Sequence, residues 1–187
     1  QTMGKKQMFS CLLLFMSVNL LNSMFISRPG RSKNLDIRKF LKTKDVIWTY
    51  NTTTAEYTWC KADHMKSISN KTIFFTRSFY YDAKMHKTVK NLEGLFRNQE
   101  KNLMQIFNRD NMFIAKETLI YMSETYRCAV ILVAPSLHGQ LPFYDLRVWD
   151  AFVRTGPHGK CIRRFTKLTN KGRVIYDPRC QYIRKNN

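Results

Sequence analysis

Residues 143–150 read Phe-Tyr-Asp-Leu-Arg-Val-Trp-Asp. In an extended strand successive side chains point to opposite faces, so Tyr144, Leu146 and Val148 share one face and Asp145, Arg147 and Trp149 the other. A carboxylate, a guanidinium and an indole together make either a wet outer surface or the wall of a small-molecule pocket. Alternation alone fits both. The choice separates a β-fold with a solid core from one built around a ligand.

Upstream, the same texture repeats. β-Branched and aromatic runs separated by polar turns predict seven more strands, at 46–50, 57–64, 73–81, 88–96, 103–107, 113–122 and 127–134. Turn residues fill the gaps, among them Asn70-Lys71, Asp82-Ala83-Lys84, Asn108 to Asn111 and Pro135 to Pro142. Glu93-Gly94 interrupts the fourth strand, and the fifth is short. Eight strands with short connections describe an antiparallel meander, and eight suffice to close a barrel with room for filling side chains or one small ligand. Two faces invite comparison with Asp145/Arg147/Trp149. On the third strand Phe75, Arg77, Phe79 and Tyr81 alternate with Phe74, Thr76, Ser78 and Tyr80; on the sixth, Phe113, Ala115, Glu117, Leu119 and Tyr121 alternate with Ile114, Lys116, Thr118 and Ile120. A base in phase with aromatics on one strand and an acid in phase with them on another suit a polar-headed ligand, although aromatics on strands are more often ordinary core.

Helices flank this run. Asn34 can cap a short helix in which Asp36 suits the first turn and Leu35, Ile37, Phe40 and Leu41 supply the apolar side. After the last strand, Cys161, Phe165 and Leu168 fall at helical spacing between His158 and Leu168, with Arg163, Arg164 and Lys167 elsewhere around the turn. Gly172 ends that pattern, and Val174 to Cys180 read as extended. The expected architecture is all-β with flanking helices: an eight-stranded antiparallel barrel, a short N-terminal helix and a C-terminal helix packed outside.

The beginning of the chain has a different character. Met3 to Gln7 is a short basic segment, and Met8 to Leu21 is apolar but too short to span a bilayer comfortably. This pattern predicts a secretory signal over about residues 1–26 and one domain over 27–187. Cys11 lies inside that signal, leaving Cys60, Cys128, Cys161 and Cys180, an even number that in a secreted chain predicts two disulfides among three possible pairings. Asn51-Thr-Thr and Asn70-Lys-Thr are candidate glycosylation sequons. The formal charge is +19, and Lys5 and Lys6 are the only basic residues before Arg28, so the remainder stands at +17. Such a field favours anionic partners, including heparin-like glycans and acidic surfaces. A nucleic-acid-binding barrel fits the basic and aromatic composition but conflicts with the signal, sequons and paired cysteines.

Catalytic and cofactor motifs are missing. There is no G-x-S-x-G, H-E-x-x-H, phosphate-binding loop or dinucleotide G-x-G-x-x-G, and no C-x-x-C pair points to zinc. The histidines, His64, His86, His138 and His158, are scattered. The sequence therefore predicts a binding protein rather than an enzyme, with no cofactor, no metal and no membrane span, acting as a monomer.

Leu35-Asp-Ile-Arg-Lys-Phe-Leu41, Asp45 to Thr54, Lys71 to Tyr81, Glu117 to Val130 and Tyr144 to Val148 ahead of a cysteine-bearing helix together resemble the tick salivary lipocalins, the histamine-binding-protein-like family. The resemblance spans roughly Leu35 to Cys180. It implies a lipocalin barrel, the pairings Cys60–Cys180 and Cys128–Cys161, an extracellular salivary protein, and sequestration of a small host mediator that blunts inflammatory or haemostatic defence. A biogenic amine such as histamine or serotonin is the implied ligand, with leukotrienes or fatty acids bound in some branches. The amine-binding pattern is met in skeleton by Cys128, Val130, Asp145, Leu146 and Cys161, but its aspartate position holds Ala129, its glutamate the shorter Asp145 and its aromatic Arg147. By resemblance Asp145, Arg147 and Trp149 look into the barrel, and Arg77, Glu117 and Tyr121 join them as ligand-binding candidates. Lost acid and gained guanidinium make an anionic or neutral lipid the rival ligand, and a heparin-binding surface on an inert barrel the rival function.

Overall fold

A computed structural model describes residues 35–185 of the chain. The predicted signal segment, and the Asn34 cap, lie outside these residues. The strands are β1 (Ile47–Thr52), β2 (Trp59–Ile68), β3 (Thr72–Tyr80), β4 (Lys87–Phe96), β5 (Leu103–Phe107), β6 (Phe113–Ser123), β7 (Cys128–Pro135) and β8 (Phe143–Trp149). Each pairs antiparallel with the next, β8 returns to β1, and β1 closes on β2 through Ile47–Asp63 and Trp48–Ala62. The result is the eight-stranded antiparallel barrel that the turn spacing predicts. A ninth strand, β9 (Arg173–Val174), pairs with β1 at Asn51 and Thr52. Beside it, Ile175 accepts from the Cys60 N–H at 2.8 Å and donates to Tyr50 O at 2.9 Å. The C-terminal segment thus fills the gap where β1 and β2 splay apart.

Gly94 does not end β4. A Cβ there would collide with Met104 and Ile73 of the neighbouring strands, so glycine is what lets these side chains cross the strand.

α1 (Ile37–Leu41) closes one end of the barrel. Its cap is Asp36, whose carboxylate accepts from the Arg38 N–H at 3.0 Å. Ile37 donates to Lys101 O at 2.9 Å in the β4–β5 connection, and Phe40 O accepts from Trp149 Nε1 at 3.1 Å. Ile37, Phe40 and Leu41 then complete an interior cluster with Ile47, Ile73, Phe75, Met104, Leu119 and Ile131.

A second cluster lies outside the barrel wall, beneath α2 (Asp150–Val153), α3 (Gly159–Thr166), a 3₁₀ turn (Pro178–Gln181) and α4 (Tyr182–Lys185). Trp48, Val130, Leu146, Val148, Phe165, Tyr176 and Ile183 meet there. The structure joins Cys128 on β7 to Cys161 on α3, and Cys60 on β2 to Cys180 in the 3₁₀ turn. His158 caps α3 by accepting from the Lys160 N–H and stacks on Tyr126 at 3.5 Å, which accounts for the histidine three residues before Cys161 without a metal.

This outer cluster settles the ambiguity of residues 143–150. Leu146 and Val148 are 1% and 0% exposed against the C-terminal segment, and Tyr144 packs at the cluster's margin. The apolar face points outward and is nonetheless buried. The charged face therefore looks inward.

Candidate functional site

The inward face of β8 meets three other strands in a layer of paired charges. Asp145 and Arg147 come from β8, Glu117 from β6, Lys61 and Asp63 from β2, and Arg77 from β3; all six are buried. The sheet register places them. Asp63 lies directly across from Arg77, and Asp145 directly across from Thr52. Arg77 grips Asp63 through Nε and Nη2, both at 2.7 Å, and Nη2 also donates to Glu117 Oε1 at 3.0 Å. Arg147 donates from Nη1 to Glu117 Oε2 and from Nη2 to Oε1, each at 2.7 Å, and reaches Asp145 Oδ2 from Nη2 at 3.0 Å and from Nε at 3.3 Å. Lys61 Nζ donates to the same Oδ2 at 2.8 Å, and the Thr52 hydroxyl donates to Asp145 Oδ1 at 2.7 Å.

Three bases and three acids make this layer electrically neutral. Burial alone would push the Glu117 carboxyl up, but Arg147 and Arg77 outweigh it and hold the group well below the usual carboxylate range. Burial acts the same way on Asp145, and Lys61 and Arg147 overcome it. Burial also opposes the charge on Arg77, and Asp63 and Glu117 restore it. Lys61 differs: burial pushes its ammonium down, and Asp145 offsets only part of that.

Every carboxylate oxygen in the layer accepts at least one hydrogen bond. The donors are not exhausted in the same way. A lysine ammonium carries three N–H bonds and an arginine five, yet among the described residues Lys61 makes one hydrogen bond and Arg77 Nη1 makes none. Among the described residues the sole wholly buried side-chain polar atom without a partner is Asn51 Oδ1, so Arg77 Nη1 keeps some accessible surface. The layer leaves whole donor groups unengaged, while every acceptor oxygen is already engaged at least once.

The space around the layer is small. Below it, towards α1, Leu41, Ile47, Asp63, Met65, Ile73, Phe75 and Met104 enclose about 10 Å³, room for roughly one water molecule. Above it lies the opposite end of the barrel, formed by the connections after β1, β3, β5 and β7. Exposed apolar side chains sit in all four connections or at their edges: Tyr57, Tyr81 and Met85, Met112 and Phe113, Leu137 and Leu141. Hydrogen bonds tie this rim together, from Gln140 Nε2 to Glu56 Oε1 at 2.7 Å and from the Ser136 hydroxyl to Phe113 O at 2.8 Å. Just inside it, Lys61 Nζ lies 5.6 Å from the centroid of the Phe143 ring.

Of the candidates read from sequence, Arg77, Glu117, Asp145 and Arg147 are brought together. Trp149 is on the inward face but at the closed end, where it packs against Phe40 and presents its ring to Arg127 at 4.7 Å. Tyr121 does not join the interior. The β6–β7 register shifts between Leu119 and Tyr121, and this bulge puts Ile120 and Tyr121 both at the outer cluster, with the Arg164 guanidinium 5.1 Å from the Tyr121 ring. Strict alternation from Glu117 to Tyr121 is thereby corrected. Lys61, Asp63 and Thr52 are members that sequence reading passed over. Lys61 and Asp63 carry the same signal as Asp145 and Arg147, two opposite charges flanking a small or apolar residue in a strand. Among the described residues no helix is long and apolar enough to cross a membrane, and no group of His, Cys, Asp and Glu is placed to hold a metal.

No family model matches the sequence, and no curated protein matches it. Solved structures do. Japanin from the tick Rhipicephalus appendiculatus, bound to cholesterol, is 9% identical, with 74% of this chain and 96% of that chain covered at a TM-score of 0.55. The serotonin complex of AM182, also a tick lipocalin, is 10% identical over 73% of this chain and 85% of that one, at 0.54. Lobster apocrustacyanin A1 is 13% identical over 86% and 88%, at 0.54. Identities this low speak for architecture, which the closed barrel, its plugging helix and its outer C-terminal helix state independently: the chain has the lipocalin fold, and tick salivary lipocalins are among the proteins that share it.

Proposed function

We propose that this chain is a secreted, non-enzymatic lipocalin that sequesters a small host mediator, and that its ligand is a lipid or other amphiphile with a hydrogen-bond-accepting head rather than a free amine. The donor surplus carries this reading. An ammonium brings its own positive charge and donors, and burial requires acid to spare. Here each acid is already matched by Arg77, Arg147 or Lys61. A carboxylate, carbonyl or hydroxyl head instead fits the unfilled donors of Lys61 and Arg77, with its apolar body against Phe143 and the Leu137, Leu141 and Met112 rim. Japanin with cholesterol and AM182 with serotonin represent the two ligand kinds, and the chemistry of this lumen sides with the first. The role against host defence follows the resemblance, and an extracellular site accords with two disulfides.

The test is calorimetric titration of the refolded domain with a fatty acid, a leukotriene, histamine and serotonin at low and moderate salt. A carboxylate lipid is expected to bind one to one. Lys61→Met is expected to weaken it about 10- to 100-fold, the worth of one charged hydrogen bond, while Thr52 and Arg147 still serve Asp145. One-to-one histamine or serotonin binding would refute the ligand class. Binding only to heparin-like polyanions, collapsing with salt, would move the function to the basic exterior.

A further inference from the structure

We propose that Glu117, Asp145 and Asp63 form a cation cage whose occupant is the chain's own Arg147 guanidinium, and that Arg147 is the residue that closes this barrel to free amines. The three carboxylates come from three strands and converge on one group. Glu117 holds it bidentately with both contacts at 2.7 Å, Asp145 Oδ2 lies 3.0 Å from Nη2, and Asp63 Oδ2 lies 3.5 Å from Nη1. Glu117 and Asp145 are 0% exposed and Arg147 1%. A planar, multi-donor cation is coordinated here as a bound guanidinium or protonated amine would be, except that a side-chain stem tethers it.

The charge balance gives the cage its specificity. Arg77 is committed to Asp63 and Lys61 to Asp145. Truncating Arg147 leaves three carboxylates facing two bases, a deficit of one positive charge at the vacated position. The wall there is undemanding: Ala129 lies across from Arg147 on β7 and Thr49 on β1, both fully enclosed and both small. The vacated volume therefore suits a monovalent cation bearing several N–H donors. The intact chain supplies that cation itself.

This rests on the proposed function's exclusion of free amines, but its test uses no lipid: failure to bind lipid leaves the cage standing, an indifferent Arg147→Ala leaves lipid binding standing, and histamine binding by wild-type protein would overturn both. The probe is methylguanidinium, with histamine as a second cation and tetramethylammonium, which has no N–H, as the control at equal ionic strength. Wild-type protein is expected to show no saturable response to any of them. Arg147→Ala is expected to melt lower than wild type, and methylguanidinium should raise its Tm saturably, with one-to-one binding at least ~10-fold tighter than to wild type. The double variant Arg147→Ala/Glu117→Gln again balances acids and bases. It should fold and lose the response. If Arg147→Ala folds only when refolded with methylguanidinium, that rescue supports the cage equally. A folded Arg147→Ala indifferent to methylguanidinium, one that stays unfolded in its presence, a double variant that responds as strongly, or wild-type protein that binds histamine as tightly as the variant would each overturn the assignment.

Discussion

Replacing Glu117 with glutamine tests whether the charged layer is held together as its geometry implies. Glutamine keeps the size of the side chain and removes its charge. In place of Oε2, which accepts from Arg147 Nη1 at 2.7 Å, it sets an amide either as a donor facing a donor or, flipped, with that clash moved to Nη2. Arg77 loses the charge on its second acceptor, and the layer changes from neutral to a net of one buried positive charge. Breaking a buried ion pair on one side costs about 3–5 kcal/mol. Arg147 retains Asp145 at 3.0 Å, so the lower part of that range is expected, about 3 kcal/mol. Urea unfolding followed by tryptophan fluorescence, with both disulfides intact, should show the midpoint falling by about 1–2 M, taking a slope of about 2 kcal/mol per molar. The slope itself should not change. Adding Arg147→Met restores the balance of Lys61 and Arg77 against Asp63 and Asp145. The double variant should then cost less than the two single variants summed, by about 1–3 kcal/mol. A Glu117→Gln protein within about 0.5 kcal/mol of wild type, or strict additivity in the cycle, would refute the reasoning.

Acid should weaken the same layer. Glu117 and Asp145 have folded pKa values below their ordinary 4.5 and 3.8, so their stabilisation is complete above those values and is lost as the pH falls through the lower folded ones. Thermal melts should decline progressively below about pH 4, and Glu117→Gln should decline less steeply. The two sequons should also differ. Asn70 is exposed in the β2–β3 connection, whereas Asn51 sits in β1 between β8 and β9 with Oδ1 enclosed, and a Cβ on Gly172 would come within 2.5 Å of that oxygen. Intact-mass analysis of protein secreted from eukaryotic cells should find one glycan, removed by Asn70→Gln and retained in Asn51→Gln; a glycan on Asn51 would contradict that burial.

The strands were readable because each is bounded by turn residues and alternates between two environments. β5, β6 and β8 even begin where the pattern places them. What alternation could not show is which environment lay on which side. On β8 both faces are buried, one by the lumen and one by Cys161, Phe165 and Ile183, which lie up to 40 residues further along the chain. A local window sees the period and misses the cover. The bulge at Ile120 escaped for a related reason. It depends on the β6–β7 pairing, not on a glycine or proline within β6 that a reader could notice. Lys61 and Asp63 were within reach, since opposite charges two apart in a strand with a buried residue between them are costly unless both find partners. Their significance shows once Arg77 is set across from Asp63.

The division of labour between the two clusters explains how a lumen this polar can persist. Replacing buried ion pairs with packed hydrophobic side chains is often neutral or stabilising, so six charges inside a barrel are poor evidence for stability. The fold draws that stability from elsewhere. The outer cluster packs Trp48, Phe165 and Tyr176 against the wall, and its two disulfides span 120 and 33 residues, worth about 4.9 and 3.7 kcal/mol in the chain-entropy picture. At the closed end α1 supplies Ile37, Phe40 and Leu41 as a plug. With the wall clamped from outside and one end sealed from below, the upper lumen need not serve as the main core. It carries the layer of paired charges instead. In that layer each acid is paired with a base, donors are left over, and Arg147 lies where three carboxylates converge. Under the proposed function this arrangement would discriminate by ligand chemistry, favouring acceptors over cations before any contact with the ligand's apolar body is made.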